Sequence, residues 1–498
     1  MVAGVLQLVA VNVQDLYLTS KPQITFFRMI YRRYTNFNSE SVRQNFASAI
    51  PANFDENLSC NIAKLGDLIG SAYLVVELPP VPEFLGLDNK KKFAWVEYIG
   101  YALIQQITME IGGRLMDRQT GEWLFILEKL TGMEPYGINK MVGQIEEVYQ
   151  FTNGKKSVKV YVPLRFWPNK NSGVALPMVS LSSSDVTFNV KFRRADECYR
   201  IGPTNSISLV HDVNQMKPGD YIEQVSGGQK VYGYVMDYDY LQKRLSYFKI
   251  ANKTSSKKAF DASSLIYNSI NGDFVQPISN EKIENVELNF QPNFISSYLL
   301  VDFIYLAKEE RTRFVRTPGE YLVEQLQFNQ LVNVTSATIK FNLNLINPCK
   351  EIIWIGQLDR LIGGGTINDR FNFTTSHVRY PDGQFYGKNI VKKSALELDG
   401  NNRFNIPNSD YYNYLEPFYH HYRGPPVGFN DYSMGINPED FQPNGSCNMS
   451  KLDDLNLNLQ LDNSITNQNT CQLRCYVTNY NIFRVAYGLG ATVFAYVG

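Results

Sequence analysis

Four histidines, His211, His377, His420 and His421, are the chain's main candidate metal ligands and proton carriers. None stands in an HExxH or a paired His/Cys spacing, so no zinc centre is expected. His420-His421 lies among Phe418, Tyr419 and Tyr422 and reads as a loop or interfacial pair. The six cysteines are Cys60, Cys198, Cys349, Cys447, Cys471 and Cys475, with no CxxC pair. Cys471 and Cys475 would share a strand face about 13 Å apart, too far for a disulfide without bent backbone. Reduced, buried thiols are expected, which suits folding in a cytosol.

The adjacent carboxylates Glu146-Glu147, Glu309-Glu310 and Asp453-Asp454 could do glycosidic acid–base work only if two faced one another across a sugar. As sequence neighbours they read as solvated loop residues. Gly154-Lys155-Lys156-Ser157 lacks the upstream glycine of a phosphate loop and precedes a strand, so it is a turn. Gly363–Gly365 reads as a loop between strands, and no GxSxG elbow occurs. No catalytic, cofactor-binding or metal residue is assigned, no cofactor is expected, and the chain does not read as an enzyme. Arg28, Arg32 and Arg33 alternate with Phe26, Phe27, Tyr31 and Tyr34, and a second basic run is Lys90–Lys92. Lysine plus arginine equals aspartate plus glutamate at 48 each, which opposes a nucleic-acid coat. The arginine cluster therefore reads as a contact patch for an adjacent subunit or an inner layer. N-x-S/T sequons place candidate glycans at Asn57, Asn252, Asn333, Asn372, Asn444 and Asn448.

These groups need elements to position them, and 498 residues call for about two or three domains. Period-two alternation dominates: Val158–Leu164, Val186–Phe192, Ile339–Leu345 and Leu455–Leu461 each alternate apolar with polar residues. Such strands belong to antiparallel sheets with one face in a core. Pro and Gly clusters such as Leu78-Pro79-Pro80 and Gly424-Pro425-Pro426 punctuate them, as in a sandwich or barrel. One helix is clear: Thr120 caps Gly121–Leu130, with Trp123, Leu124, Ile126, Leu127 and Leu130 on one face. The halves repeat. Met109–Gly113 before Trp123–Leu130 corresponds to Leu396–Gly400 before Tyr411–Phe418, and strand 186–192 corresponds to strand 455–461. Two copies of one β-sandwich unit account for this. Between them, 200–290 is rich in Gly, Pro and Ser and reads as the end of the first sandwich plus an inserted surface element. No basic leader opens the chain, Val2 excludes myristoylation, and no apolar run is long enough for a membrane helix. Gly488–Gly498 reads as a buried last strand.

Val5–Ala10, Gln14–Thr19, Pro22–Phe27, Tyr31-Arg32-Arg33 and Thr35-Asn36-Phe37 together resemble the opening of the major capsid proteins of large nucleocytoplasmic DNA viruses. The similarity continues through Gly121-Glu122-Trp123, Tyr161–Leu164, Phe166-Trp167, Val301–Leu306, Glu320-Tyr321-Leu322, Asn347–Glu351, Gln442-Pro443 and Asn479–Ile482, in the family's order. The resemblance implies an all-β chain of two consecutive eight-stranded antiparallel jelly rolls with short helices in loops. Its expected divisions are an N-terminal arm at 1–23, a first jelly roll at 24–215, a connecting or inserted segment at 216–290 and a second jelly roll at 291–498. It also implies a homotrimer forming a pseudo-hexagonal capsomer that tiles an icosahedral shell, in a virion assembled in host cytoplasm. The implied partners are neighbouring capsomers, minor capsid and penton proteins and the inner viral membrane layer, with no direct sequence-specific nucleic acid. By the same resemblance, residues 1–37 with Arg28, Arg32 and Arg33 face inward. The rival class is a carbohydrate-binding or carbohydrate-active β-sandwich, since jelly rolls host both.

Overall fold

The computed structural model describes residues 14, 19–47, 53–85, 90–131, 135–211, 216–226, 228–239, 241–250, 259–283, 291–362, 368–378, 387–404 and 408–496. The Val5–Ala10 segment, most of the 1–23 arm, Asn252 and the Gly363–Gly365 loop lie outside them.

Each alternating segment forms a strand because its apolar positions fall on one side of the pleat. In strand Val186–Phe192, Val186, Phe188, Val190 and Phe192 are buried while Thr187, Asn189 and Lys191 are not. In the first half the sandwich strands are β1 (Phe37–Gln44), β2 (Asn57–Asn61), β3 (Leu68–Leu78), β4 (Ile104–Ile111), β5 (Arg114–Gln119), β6 (Val158–Pro163), β7 (Val186–Phe192) and β8 (Ser296–Leu306). In the second they are β9 (Gly319–Val334), β10 (Thr338–Asn342), β11 (Pro348–Leu358), β12 (Val391–Leu398), β13 (Asn401–Phe404), β14 (Phe429–Ser433), β15 (Leu455–Leu461) and β16 (Cys471–Ala486). The first sandwich pairs sheet β1-β8-β3-β6 with sheet β2-β7-β4-β5, and the second pairs β9-β16-β11-β14 with β10-β15-β12-β13. The two halves share one antiparallel wiring, and each is a jelly roll. The repeat seen in sequence is the hairpin joining β4 to β5 and β12 to β13. Its turns carry positive φ at Gly112 (58°) and Gly113 (74°), and at Asp399 (47°) and Gly400 (76°).

The boundary expected at 291 does not fall where the sheets divide. β8 lies beyond it, yet pairs with β1 (Val301 opposite Val42) and with β3 (Leu299 opposite Leu74). Sequence order misleads here because β8 is separated from β7 by the whole insert. The insert is not a loose connection. Seven strands between 205 and 282 form an antiparallel sheet with a core that includes Ile207, Ile222, Val235, Leu245, Tyr247 and Phe260. Its Tyr221, Met236, Phe248 and Ile250 pack into the core of the second jelly roll. The C-terminal stretch is also corrected: Leu489–Thr492 is a short edge strand on β16, and Tyr487, Leu489 and Phe494 are exposed.

The helix α1 (Gly121–Thr131) forms as expected, with the Thr120 hydroxyl accepting from the Trp123 N–H at 3.2 Å. It lies between the two jelly rolls, with Trp123 stacked on Tyr476 of β16 at 5.5 Å and Phe125 against Phe371 at 4.5 Å. Sheet β9-β16-β11-β14 is thereby a shared wall. On β11, Ile352 and Trp354 enter the second core, whereas Ile353 and Ile355 enter the core that continues from the first half. A second helix, α2 (Lys308–Arg316), joins β8 to β9 and buries no residue. Among the described residues no helix is long and apolar enough to cross a membrane.

Candidate functional site

Two places gather chemistry: the seam between the jelly rolls and the exposed arm before β1. At the seam, Asp117 of β5 accepts from the Leu326 N–H of β9 at 3.0 Å and from the Tyr496 hydroxyl at 3.2 Å. Burial pushes its carboxyl up to about 6. Gln325 of β9 donates back to the Met116 carbonyl.

Along the seam stands an arginine cluster. Glu122, in the first turn of α1, takes Arg193 Nη2 at 2.6 Å and Arg370 Nη1 at 3.3 Å, and Arg370 Nη2 reaches Glu197 at 2.8 Å. Arg474 of β16 donates to Gln357 and Gln472, both at 2.8 Å. Burial works against the Glu122 carboxylate, but Arg193, Arg474 and Arg370 outweigh it and hold the group at about 2. Three buried guanidinium groups thus face two carboxylates. They come from the first half (Arg193) and the second (Arg370, Arg474), so the cluster ties the halves together.

A lysine–histidine cluster has the opposite excess. Glu324 of β9 takes Lys170 Nζ at 2.8 Å and also pairs with Lys350. Burial opposes its charge, yet the two lysines hold it at about 2. Beside it, His421 follows the short helix α3 (Glu416–His420). Its Nδ1 lies 2.9 Å from Glu439 Oε1, and its Nε2 lies 3.0 Å from Asp431 Oδ2 and 3.8 Å from Glu351 Oε2. Burial pushes the imidazole down, but Asp431, Glu439 and Glu351 raise it to about 11. Burial also raises Glu351. Two lysines and one imidazole thus meet four carboxylates. The neighbouring His420 is held by the Ile436 carbonyl at 2.8 Å and Glu416 at 3.1 Å. The histidine doublet is visible in sequence, but the carboxylate partners of His421 lie 10 to 70 residues away, and no local spacing marks them.

The arm is different in kind. Residues 19–40 are exposed throughout, and Phe26, Phe27, Met29, Tyr31 and Tyr34 are each more than 80% exposed. Arg28, Arg32 and Arg33 lie exposed among them. Next to the arm, a groove of about 500 Å³ opens among Thr35, Glu309, Arg313, Phe314, Pro318 and Tyr321.

The candidate glycan sites divide. Asn57, Asn333 and Asn448 are exposed. Asn444 is half-buried, and its amide donates to the Asn437 carbonyl at 2.7 Å. Asn372 is wholly buried and donates to Asp369 at 3.0 Å and Ser376 at 2.8 Å, so the expectation of a glycan there fails for lack of both space and a free amide. The paired carboxylates stay apart: Glu146-Glu147 and Glu309-Glu310 sit on separate helices, and Asp453-Asp454 occupies a loop. All six cysteines are unpaired thiols, five of them buried.

Comparison with known proteins bears on what such a double sandwich does. Residues 25–242 match the family described as the major capsid protein N-terminus, and residues 310–491 match that of the large eukaryotic DNA virus major capsid protein. The probable capsid protein 4 of Acanthamoeba polyphaga mimivirus is 46% identical, covering 99% of both chains. Among solved structures, the Faustovirus major capsid protein superposes with a TM-score of 0.69 at 12% identity, covering 96% of this chain and 94% of that one. The capsid protein of the virus PBCV-1 gives 0.64 at 21%, covering 95% and 100%. Those two likenesses speak to the fold.

Proposed function

We propose a function from one premise: the chain belongs to the family of major capsid proteins of large eukaryotic DNA viruses. As a major capsid protein it works by assembly. We propose that three copies close into a ring whose six jelly rolls present six similar walls, giving a pseudo-hexagonal capsomer that packs on an icosahedral lattice. The observation that carries this is the identical strand order of the two sandwiches. A threefold ring of a chain with two like units has near-sixfold outer symmetry, and a chain with one unit would not.

The seam clusters fit that role. Neighbours around a ring must meet walls held at a fixed angle, and buried ion pairs crossing from one half to the other resist rocking. In this reading Phe26–Tyr34, with Arg28, Arg32 and Arg33, faces the shell interior and meets minor capsid proteins or the inner membrane layer. Many repeated weak contacts then hold the shell. Assembly takes place in the host cytoplasm, and the chain performs no catalysis.

The test is solution mass by size exclusion with light scattering. A particle three times the 56.9 kDa chain supports the capsomer. A dispersed monomer across a wide concentration range removes it.

A further inference from the structure

We propose that Glu351, Asp431 and His421 form a binding site for one first-row divalent transition cation, of the zinc type, buried at the seam on the face of sheet β9-β16-β11-β14 that looks toward the first jelly roll. It would pin three separate stretches of chain together.

The register places the ligands. On paired strands β11 and β14, Asp431 stands opposite Ile353 and Ser433 stands opposite Glu351. Glu351 and Asp431 are therefore diagonal neighbours on one face of the sheet, close enough for their side chains to converge. His421 lies over that face. The ligand atoms of the three residues all lie within 4.8 Å of one another. His421 Nε2 stands 3.0 Å from Asp431 Oδ2 and 3.8 Å from Glu351 Oε2. Neighbouring ligand atoms on a tetrahedral ion with bonds near 2.1 Å stand about 3.4 Å apart, so these distances bracket the requirement.

The surrounding groups are those a metal site uses. Glu439 Oε1 sits 2.9 Å from His421 Nδ1 and is itself held by the Tyr422 N–H at 3.2 Å. A carboxylate that accepts a hydrogen bond from Nδ1–H leaves the Nε2 lone pair for the ion and fixes the ring. The Thr478 hydroxyl donates to Glu351 at 3.1 Å and orients the second ligand. Asp431 is wholly buried, and its Oδ1 has no hydrogen-bond partner among the described residues. A carboxylate oxygen so placed is costly without a cation. The nearest lysine does not supply one directly, because Lys350 Nζ is engaged by Glu324 and by the Pro438 carbonyl at 2.6 Å. An adjoining cavity of about 200 Å³, lined in part by Glu351, His421 and Glu439, leaves room for water as a fourth ligand. Binding takes two carboxylates and a neutral imidazole, and the Nε2 proton passes to solvent as the ion enters.

The experiment strips the purified full chain with a chelator, removes the chelator, and titrates zinc or cobalt(II) chloride. The expected result is one ion per chain, a visible cobalt band of tetrahedral intensity, and a melting temperature raised by roughly 3 °C at hundredfold excess over Kd. Glu439→Gln, which leaves the three ligands in place, should weaken binding about 10- to 100-fold. Asp454→Asn, in a loop away from the site, should not change it. Asp431→Asn should abolish the cobalt band. A stripped wild-type chain that takes up less than a tenth of an equivalent, or melts at one temperature with and without zinc, overturns the proposal. So does a cobalt band that survives Asp431→Asn.

Discussion

The two ionic clusters along the seam solve one problem with opposite excess charge. Around Glu122, three arginines meet two carboxylates; around Glu324 and His421, two lysines and an imidazole meet four carboxylates. Guanidinium groups are planar, always charged and more weakly hydrated, so they can be packed in excess and still share acceptors. Arg474 does this by turning to two glutamines. Carboxylates in excess have no such recourse in a buried place. They need a proton, as on His421, or a cation. The arginine cluster is thus closed on itself, whereas the histidine cluster has one open term that solution conditions can fill.

The sharpest test of that contrast is removal of the central carboxylate. Glu122→Ala leaves three buried guanidinium groups with one carboxylate, and should cost about 3–5 kcal/mol in thermal or urea unfolding. Glu324→Ala should cost less, about 2 kcal/mol, because Lys170 is partly exposed and can turn to water. Equal losses would break the comparison.

Acid and alkali separate the clusters next. Glu122 and Glu324 are held at about 2 against an ordinary 4.5. Their contribution is therefore present above pH 4.5 and lost as pH falls towards 2. His421 is raised from 6.5 to about 11. In the metal-stripped chain its contribution is full below pH 6.5 and drains away as pH rises through 11. Unfolding midpoints across pH should show an acid limb flattened by Glu122→Gln or Glu324→Gln, and an alkaline limb flattened by His421→Gln alone.

Smaller still is Arg370→Lys, which removes the fork spanning Glu122 and Glu197 while keeping the charge. It should cost about 1–2 kcal/mol in the same unfolding assay. The smallest effect belongs to the exposed pair Arg484–Glu320 on β16 and β9. Glu320→Gln should shift stability by less than about 0.5 kcal/mol, because water and salt screen it.

Much of the fold was legible in sequence because period two is a local property. The strands at 158–163, 186–192 and 455–461 formed where alternation placed them, and the Thr120 cap opened the helix. The paired hairpins at Gly112-Gly113 and Asp399-Gly400 disclosed the duplication. What was not legible is non-local. Nothing in Ser296–Leu306 says that it pairs with β1 and β3 rather than with the strands that follow it. His421 gave no hint of Glu351, Asp431 and Glu439, because cross-strand register brings them together. Asn372 carries a sequon that burial cancels. The sheet at 205–282 escaped notice because most of its strands are short and separated by Gly, Pro and Ser.

The place of β8 in the chain also sets a clock. A ribosome adding 5–20 residues per second needs about 5–20 s to cross the hundred residues between β7 and β8. During that interval the first sandwich lacks a central strand. β1 has no neighbour and β3 presents an open edge, the kind of surface that recruits other chains. The insert can fold in the same interval on its own core. When β8 arrives it closes the first jelly roll, and β9 emerges about a dozen residues later. Completion of one half and initiation of the other are therefore nearly simultaneous events on the ribosome.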